Sequence, residues 1–211
     1  MVKLIILDLD GTIVNAYRAI EKSLNFTLRK LGYPPASISQ VRRAVGWGDE
    51  NFIKRFVKEE DIEKGLEIYR QHHQSALLKY SLVIPKVKRI LTLLKKRNYQ
   101  LAIASNRPEK FTKLLLNHLG LKKYFATVIC AKNKDEIKPH PWLLLKIIKK
   151  LRVKKNEAIY LGDMTIDVQA GRNAGIRTIA ILGGSSSRNE LKKVKPSKII
   201  SKFPELLNFL S

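Results

Sequence analysis

VKLIILDLDGT, residues 2–12, sets the pattern for the rest of the chain. Four apolar residues, Leu4–Leu7, run straight into Asp8 and Asp10, and Gly11-Thr12 follows. A short apolar run closed by carboxylates reads as a buried strand that delivers polar groups at its C-terminal end. Similar runs recur at 101–105 (LAIAS), 127–130 (TVIC), 158–163 (AIYLGD) and 178–182 (TIAIL). Between them lie helical patterns at 87–97, 109–119 and 141–151; in the first, Val87, Ile90, Leu91 and Leu94 recur at helical spacing. Strands alternating with helices predict an α/β fold, a doubly wound, Rossmann-like parallel sheet covered on both faces.

Residues 15–84 break this alternation. They contain no convincing strand, but helical stretches at roughly 17–31, 38–45, 49–58 and 61–80, with Tyr33-Pro34-Pro35 as a breaker between the first two. The expected organisation is therefore a catalytic core of residues 1–14 and 85–211, with an all-helical segment, 15–84, inserted after the first strand.

Composition narrows the class. The chain has 211 residues, 45% of them hydrophobic, which suits one sizeable core and not a disordered tail. Its single cysteine, Cys130, cannot form an internal disulfide, and no apolar run reaches the ~18 residues of a membrane span. The expected location is the cytoplasm, without membrane association, as a monomer or homodimer. The 41 basic and 18 acidic residues give a net charge of +23, which favours an anionic partner or substrate. The insertion carries 12 basic and 8 acidic residues, so the excess belongs to the core. Four of the core's ten acids are Asp8, Asp10, Asp163 and Asp167, placed where strands end.

Ligands of open α/β sheets sit outside the carboxyl ends of the strands. There this chain places Asp8 and Asp10, then Ser105-Asn106-Arg107, then Lys138-Pro139-His140-Pro141, then Gly162-Asp163-Met164-Thr165-Ile166-Asp167. Clustered carboxylates repel one another and require a cation. Hard oxygen donors without a His or Cys cluster suit Mg²⁺. A carboxylate beside such an ion can attack phosphorus, while a hydroxyl, backbone amides and a lysine hold the phosphoryl oxygens.

These four segments resemble the motifs of haloacid dehalogenase-type phosphatases, in the branch similar to phosphoglycolate phosphatases. DLDGT matches the first motif, Ser105 the second, Lys138 with its Pro-x-Pro the third, and Asp163 with Asp167 the fourth. The resemblance covers essentially the whole chain and implies that the helical insertion is a cap. It implies Asp8 as nucleophile and metal ligand. Asp10 would be the general acid and then base, its backbone carbonyl a further metal ligand. Asp163 would bind Mg²⁺ directly, and Asp167 would orient water beside the ion. Ser105 and the Asn106 amide, with Thr12, would hold the phosphoryl group, and Lys138 would pair with it and with Asp8. Three departures from the usual pattern stand out: Asn15, expected to cap the first helix of the insertion; Met164 after the fourth-motif Asp; and Arg107 in the second motif.

In that family the loop matching Gly46-Trp47-Gly48 faces the active site, which makes Trp47 and Arg42 or Arg43 the expected specificity residues. His72 and His73, adjacent on a helix and about 100° apart, are expected on a solvated face, and Cys130 in the core. The implied activity is Mg²⁺-dependent hydrolysis of a small phosphorylated metabolite through an aspartyl-phosphate. A sugar phosphomutase, a nucleotidase or a pyrophosphatase would use the same core. A nucleic-acid-binding protein on a phosphatase scaffold is the reading from another class, and the complete catalytic set opposes it. The basic runs Lys95–Arg97 and Lys149–Lys155 close helices and precede strands. They are expected on the edge remote from Asp8, where nucleic acid would bind only weakly and in a salt-dependent way.

Overall fold

The computed structural model describes residues 1–210. The chain runs β1 (Leu4–Leu7), β2 (Val14–Asn15), α1 (Tyr17–Leu31), α2 (Ile38–Ala44), α3 (Asp49–Ile53), α4 (Ile62–Tyr80), β3 (Leu82–Val83), α5 (Val87–Lys96), β4 (Gln100–Ser105), α6 (Glu109–His118), β5 (Thr127–Cys130), α7 (Trp142–Leu151), β6 (Ala158–Gly162), α8 (Thr165–Ala174), β7 (Arg177–Ile181), α9 (Arg188–Lys193) and β8 (Lys198–Ile200). Among the described residues, six strands form a parallel sheet in the order β5-β4-β1-β6-β7-β8.

The period of two along each strand sorts side chains into two cores. On β1, Ile5 and Leu7 face one cluster with Leu101, Ile103, Ile159 and Leu161; Leu4 and Ile6 face the other with Ala102, Ala104, Ala158 and Tyr160. The second core also takes Leu143, Leu144 and Ile147 of α7 and Ala170 and Ala174 of α8. On the first face, α5 buries Val87, Ile90, Leu91 and Leu94, each worth roughly 1.5–3 kcal/mol relative to exposure. No helix among the described residues is long and apolar enough to cross a membrane.

The insertion between β1 and α5 is helical, but it is entered and left through a small antiparallel ribbon, which corrects the expectation of no strand there. Val14 of β2 pairs with Val83 of β3, and Asn15 with Leu82. The expected helix at 49–58 also ends early, at Ile53. Asn15 is not the N-cap of α1; Ala16 holds that position, and Asn15 Oδ1 accepts a long bond from Tyr17 N at 3.4 Å. Helices α1 and α4 pack together closely because Gly65 of α4 leaves room: a methyl there would stand 3.3 Å from side chains of Ile53 and Leu31. Leu24, Leu28, Phe52, Ile53 and Leu77 of the insertion belong to the same buried cluster as Ile5 and Leu7 of the sheet.

Candidate active site

Three neighbouring strands end side by side. β1 hands the chain to Asp8, β4 ends in Ser105, and β6 is followed by Asp163. After β5 the chain crosses back over β1 to begin β6, and such a reversal opens a crevice at the carboxyl ends. The loop between β5 and α7 brings in Lys138, and the first turn of α8 brings in Asp167.

Lys138 is 3% exposed and is the hub of the cluster. Its Nζ donates to Asp8 Oδ1 at 2.6 Å, Asp167 Oδ1 at 2.7 Å and Tyr160 Oη at 3.0 Å. Burial opposes its charge, but Asp167 and Asp8 outweigh that and raise the ammonium well above its usual range. For Asp8 burial dominates. With Lys138 working against it, the carboxyl still rises to about 7. Asp167 is held on both oxygens: Tyr160 Oη donates to Oδ1 at 2.7 Å, and the Met164 amide donates to Oδ2 at 2.9 Å.

Asp163 is fully buried. It accepts from Thr12 Oγ1 at 3.1 Å, from the Ser185 amide at 2.7 Å and from Tyr17 Oη at 3.4 Å. Burial, then repulsion from Asp8 and Asp167, pushes it well above the carboxylate range. Gly11 makes this packing possible. Its φ of +85° suits glycine, and a methyl there would run into the Tyr17 hydroxyl and the Asp163 carboxylate.

One oxygen from each of Asp8, Asp163 and Asp167 lies within 4.8 Å of the other two. With Asp10 there are four carboxylates against two buried cations, Lys138 and Arg107. The donors are all hard oxygens, and the surplus charge is negative. This set fits a small divalent cation such as Mg²⁺.

On the side facing the insertion lies a cavity of about 80 Å³, lined by Asp8, Asp10, Ser105, Arg107 and Lys138 below and by Ile20, Gly46, Phe52, Tyr69 and His73 above. Arg107 grips Asp10 with its fork: Nε donates to Oδ2 and Nη2 to Oδ1, both at 2.8 Å. Its Nη1 lies 2.8 Å from His73 Nε2. Guanidinium only donates, so His73 Nε2 accepts and the ring proton sits on Nδ1, 3.0 Å from Ser23 Oγ. Burial first, then Arg107, holds His73 well below its usual pKa, as a neutral ring requires.

The structure thus brings Asp8, Asp10, Ser105, Asn106 and Lys138 to one cavity, with Asp163 and Asp167 behind it. Ser105 Oγ accepts from the Arg107 amide at 3.1 Å. The Asn106 side chain is already committed, donating to Gly46 O at 2.7 Å and accepting from the Lys138 amide at 2.9 Å. Three expected substrate-binding residues do not line the cavity. Thr12 is fully buried and braces Asp163. Arg42 stacks over the Tyr17 ring, 4.5 Å from its centroid, and Trp47 is not among the residues lining the cavity, whereas its neighbours Gly46 and Gly48 are. His73 corrects another expectation: it is buried in the cavity wall, not solvated. Its place was readable, because Tyr69, His73, Ala76 and Leu77 form one stripe of α4. Tyr160, Tyr17 and Ser185 carry no motif signal that would have found them.

Sequence comparison matches residues 5–181 to the family model described as haloacid dehalogenase-like hydrolase. A phosphoglycolate phosphatase of Aquifex aeolicus is 30% identical over 182 residues, covering 86% of this chain and 85% of that protein. One from Pseudomonas savastanoi pv. phaseolicola is 30% identical over 218 residues, covering 97% of this chain and 78% of that protein. Among solved structures, one described as a predicted phosphoglycolate phosphatase, from Haemophilus somnus 129pt, superposes with a TM-score of 0.92 at 25% identity, covering 100% of this chain and 98% of that one. With its carboxylate cluster, buried lysine and strand-end serine in place, the chain belongs to the haloacid dehalogenase-like hydrolase family and is a phosphatase.

Proposed function

We propose that the protein is a Mg²⁺-dependent phosphatase of a small phosphorylated metabolite, with phosphoglycolate the first substrate to test, acting through an aspartyl-phosphate on Asp8. The reading is carried by Asp8, at the cavity floor with one oxygen pinned by Lys138 at 2.6 Å and with Asp163 and Asp167 beside it. Asp8 attacks phosphorus, and the ester oxygen leaves with a proton from Asp10, giving the acyl phosphate and a free alcohol. Asp10 then takes a proton from water, whose oxygen attacks phosphorus. The P–O bond to Asp8 breaks, and the carboxylate and inorganic phosphate are restored. Ser105 and Lys138 hold the phosphoryl oxygens through both halves. Asp8, Asp163 and the Asp10 carbonyl would hold Mg²⁺, which would supply positive charge between carboxylate and phosphate.

Residues 15–84 act in this reading as the cap that closes over the substrate. In this reading the phosphoryl group and its leaving group sit in the cavity between the strand ends and the insertion. Phosphate release from a panel of phosphorylated metabolites, with Mg²⁺ and with chelator, tests the proposal. Turnover should need the metal and vanish in Asp8→Asn, because an amide cannot attack phosphorus. Undiminished turnover in Asp8→Asn or in excess chelator would overturn it.

A further inference from the structure

Arg107 and His73 form a contact that neither the family motifs nor the phosphatase reading requires. Arg107 belongs to the loop after β4, in the core; His73 sits near the middle of α4, in the insertion. The guanidinium donates two of its N–H groups to Asp10 and a third to His73 Nε2, all at 2.8 Å, and both residues are buried. His73 is fixed in turn. Its Nδ1 donates to Ser23 of α1, and its ring lies edge-on to Phe111 of α6, with centroids 5.2 Å apart. One hydrogen-bonded line therefore runs from both long helices of the insertion to Asp10.

We propose that His73 and Arg107 are positioning residues that latch the cap to the catalytic loop, so that the Asp10 carboxylate is oriented only when the cap is seated. The geometry supports this in two ways. A planar fork on both oxygens fixes the rotation of the carboxylate, which a single bond would leave free. The fork's own orientation depends on a neutral acceptor supplied by the cap, so lifting α4 removes that support. The latch rests on the reading of Asp10 as the proton-transfer group.

The test is a double-mutant cycle with two readouts. His73→Leu and Arg107→Lys should each lower kcat on an aryl phosphate with Mg²⁺ about tenfold while KM stays within about twofold, the cost of a misplaced group. The double variant should lose no more than the worse single one. His73→Gln, whose amide can accept from Arg107 and donate to Ser23, should recover most of the rate. Hydrogen exchange over residues 45–49 and 106–112, joined by the Asn106 bond to the Gly46 carbonyl at 2.7 Å, should speed up equally in His73→Leu and Arg107→Lys. Losses that multiply, a wild-type kcat in His73→Leu, or unchanged exchange in both variants would each overturn the latch. Full turnover in Asp10→Asn would instead overturn the role of Asp10, and the exchange comparison would then judge the latch alone.

Discussion

Lys138 faces more negative charge than it can neutralise. Asp8 and Asp167 share its ammonium, and Tyr160 completes the ring by donating to Asp167 and accepting from Lys138. Tyr160→Phe removes the hydroxyl that spaces these charges in a fully buried place. It should cost about 1–3 kcal/mol in unfolding free energy, because its partners lose a buried bond, and it should lower kcat by loosening Lys138. Urea unfolding and steady-state kinetics on the same preparation measure both. The raised pKa of Asp8 sets a pH dependence. Its carboxyl moves from an ordinary 3.8 to about 7 in the metal-free fold, so the folded state holds the proton more tightly than the unfolded chain. The stabilisation is complete below about pH 4 and is lost as pH rises towards 7. In chelator, wild type should therefore lose stability relative to Asp8→Asn between about pH 4 and 7, and Mg²⁺ should restore it at pH 8. Thermal midpoints of both proteins across that range, with and without the metal, check the sign. The carboxylates were legible because they stand at strand ends in a core short of acids, whereas Lys138, one of 41 basic residues, was legible through its motif. His73 carries no motif and was legible only through the stripe it shares on α4 with Tyr69, Ala76 and Leu77.

At the scale of elements, the loop before α3 is fitted to the core at Gly46. Gly46 has φ of +99°, and a methyl on it would run into the Met164 sulfur. Met164, a departure from the usual motif, thus packs where the loop crosses the fourth motif. Gly46→Ala should destabilise by about 1 kcal/mol or more from backbone strain, and by more where Met164 cannot yield. It should also disturb the Asn106 bond to the Gly46 carbonyl. Denaturant midpoints of Gly46→Ala and of Gly46→Ala with Met164→Ala separate the two causes, since the second variant should recover only the steric part. Helices α5, α6 and α7 of the core, and α1, were readable from apolar spacing alone. The ribbon of β2 and β3 was not: two residues per strand leave no alternation to detect, and the partners Val14 and Val83 are far apart in sequence. Edge strand β8 is short and opens with exposed Lys198, so its apolar content is thin.

For the whole molecule, the remaining question is what +23 does to a site that already handles anions. Parallel strands and antiparallel helices divide the core into two edges. Asp8, Ser105 and Asp163 stand where strands end, whereas Lys95 and Lys96 close α5 before β4, and Lys149, Lys150, Lys154 and Lys155 precede β6. That order of elements puts the exposed lysines at the edge where strands begin, beside Lys3, which pairs with Glu157 at 2.6 Å. From Lys3 to Asp8 the chain climbs five extended residues, or roughly 16 Å at ~3.3 Å each. The Debye length at physiological salt is about 8 Å, so the basic edge contributes little field at the cavity. A polyanion on that edge should bind weakly, with affinity falling steeply as salt rises, and should leave turnover unchanged. Short RNA titrated at several salt concentrations, with binding and phosphatase rate followed together, checks this. Potent competitive inhibition at physiological salt would place the polyanion in the cavity and turn the reading towards a nucleic-acid substrate. Binding without inhibition would leave the two edges electrostatically independent, as their separation requires.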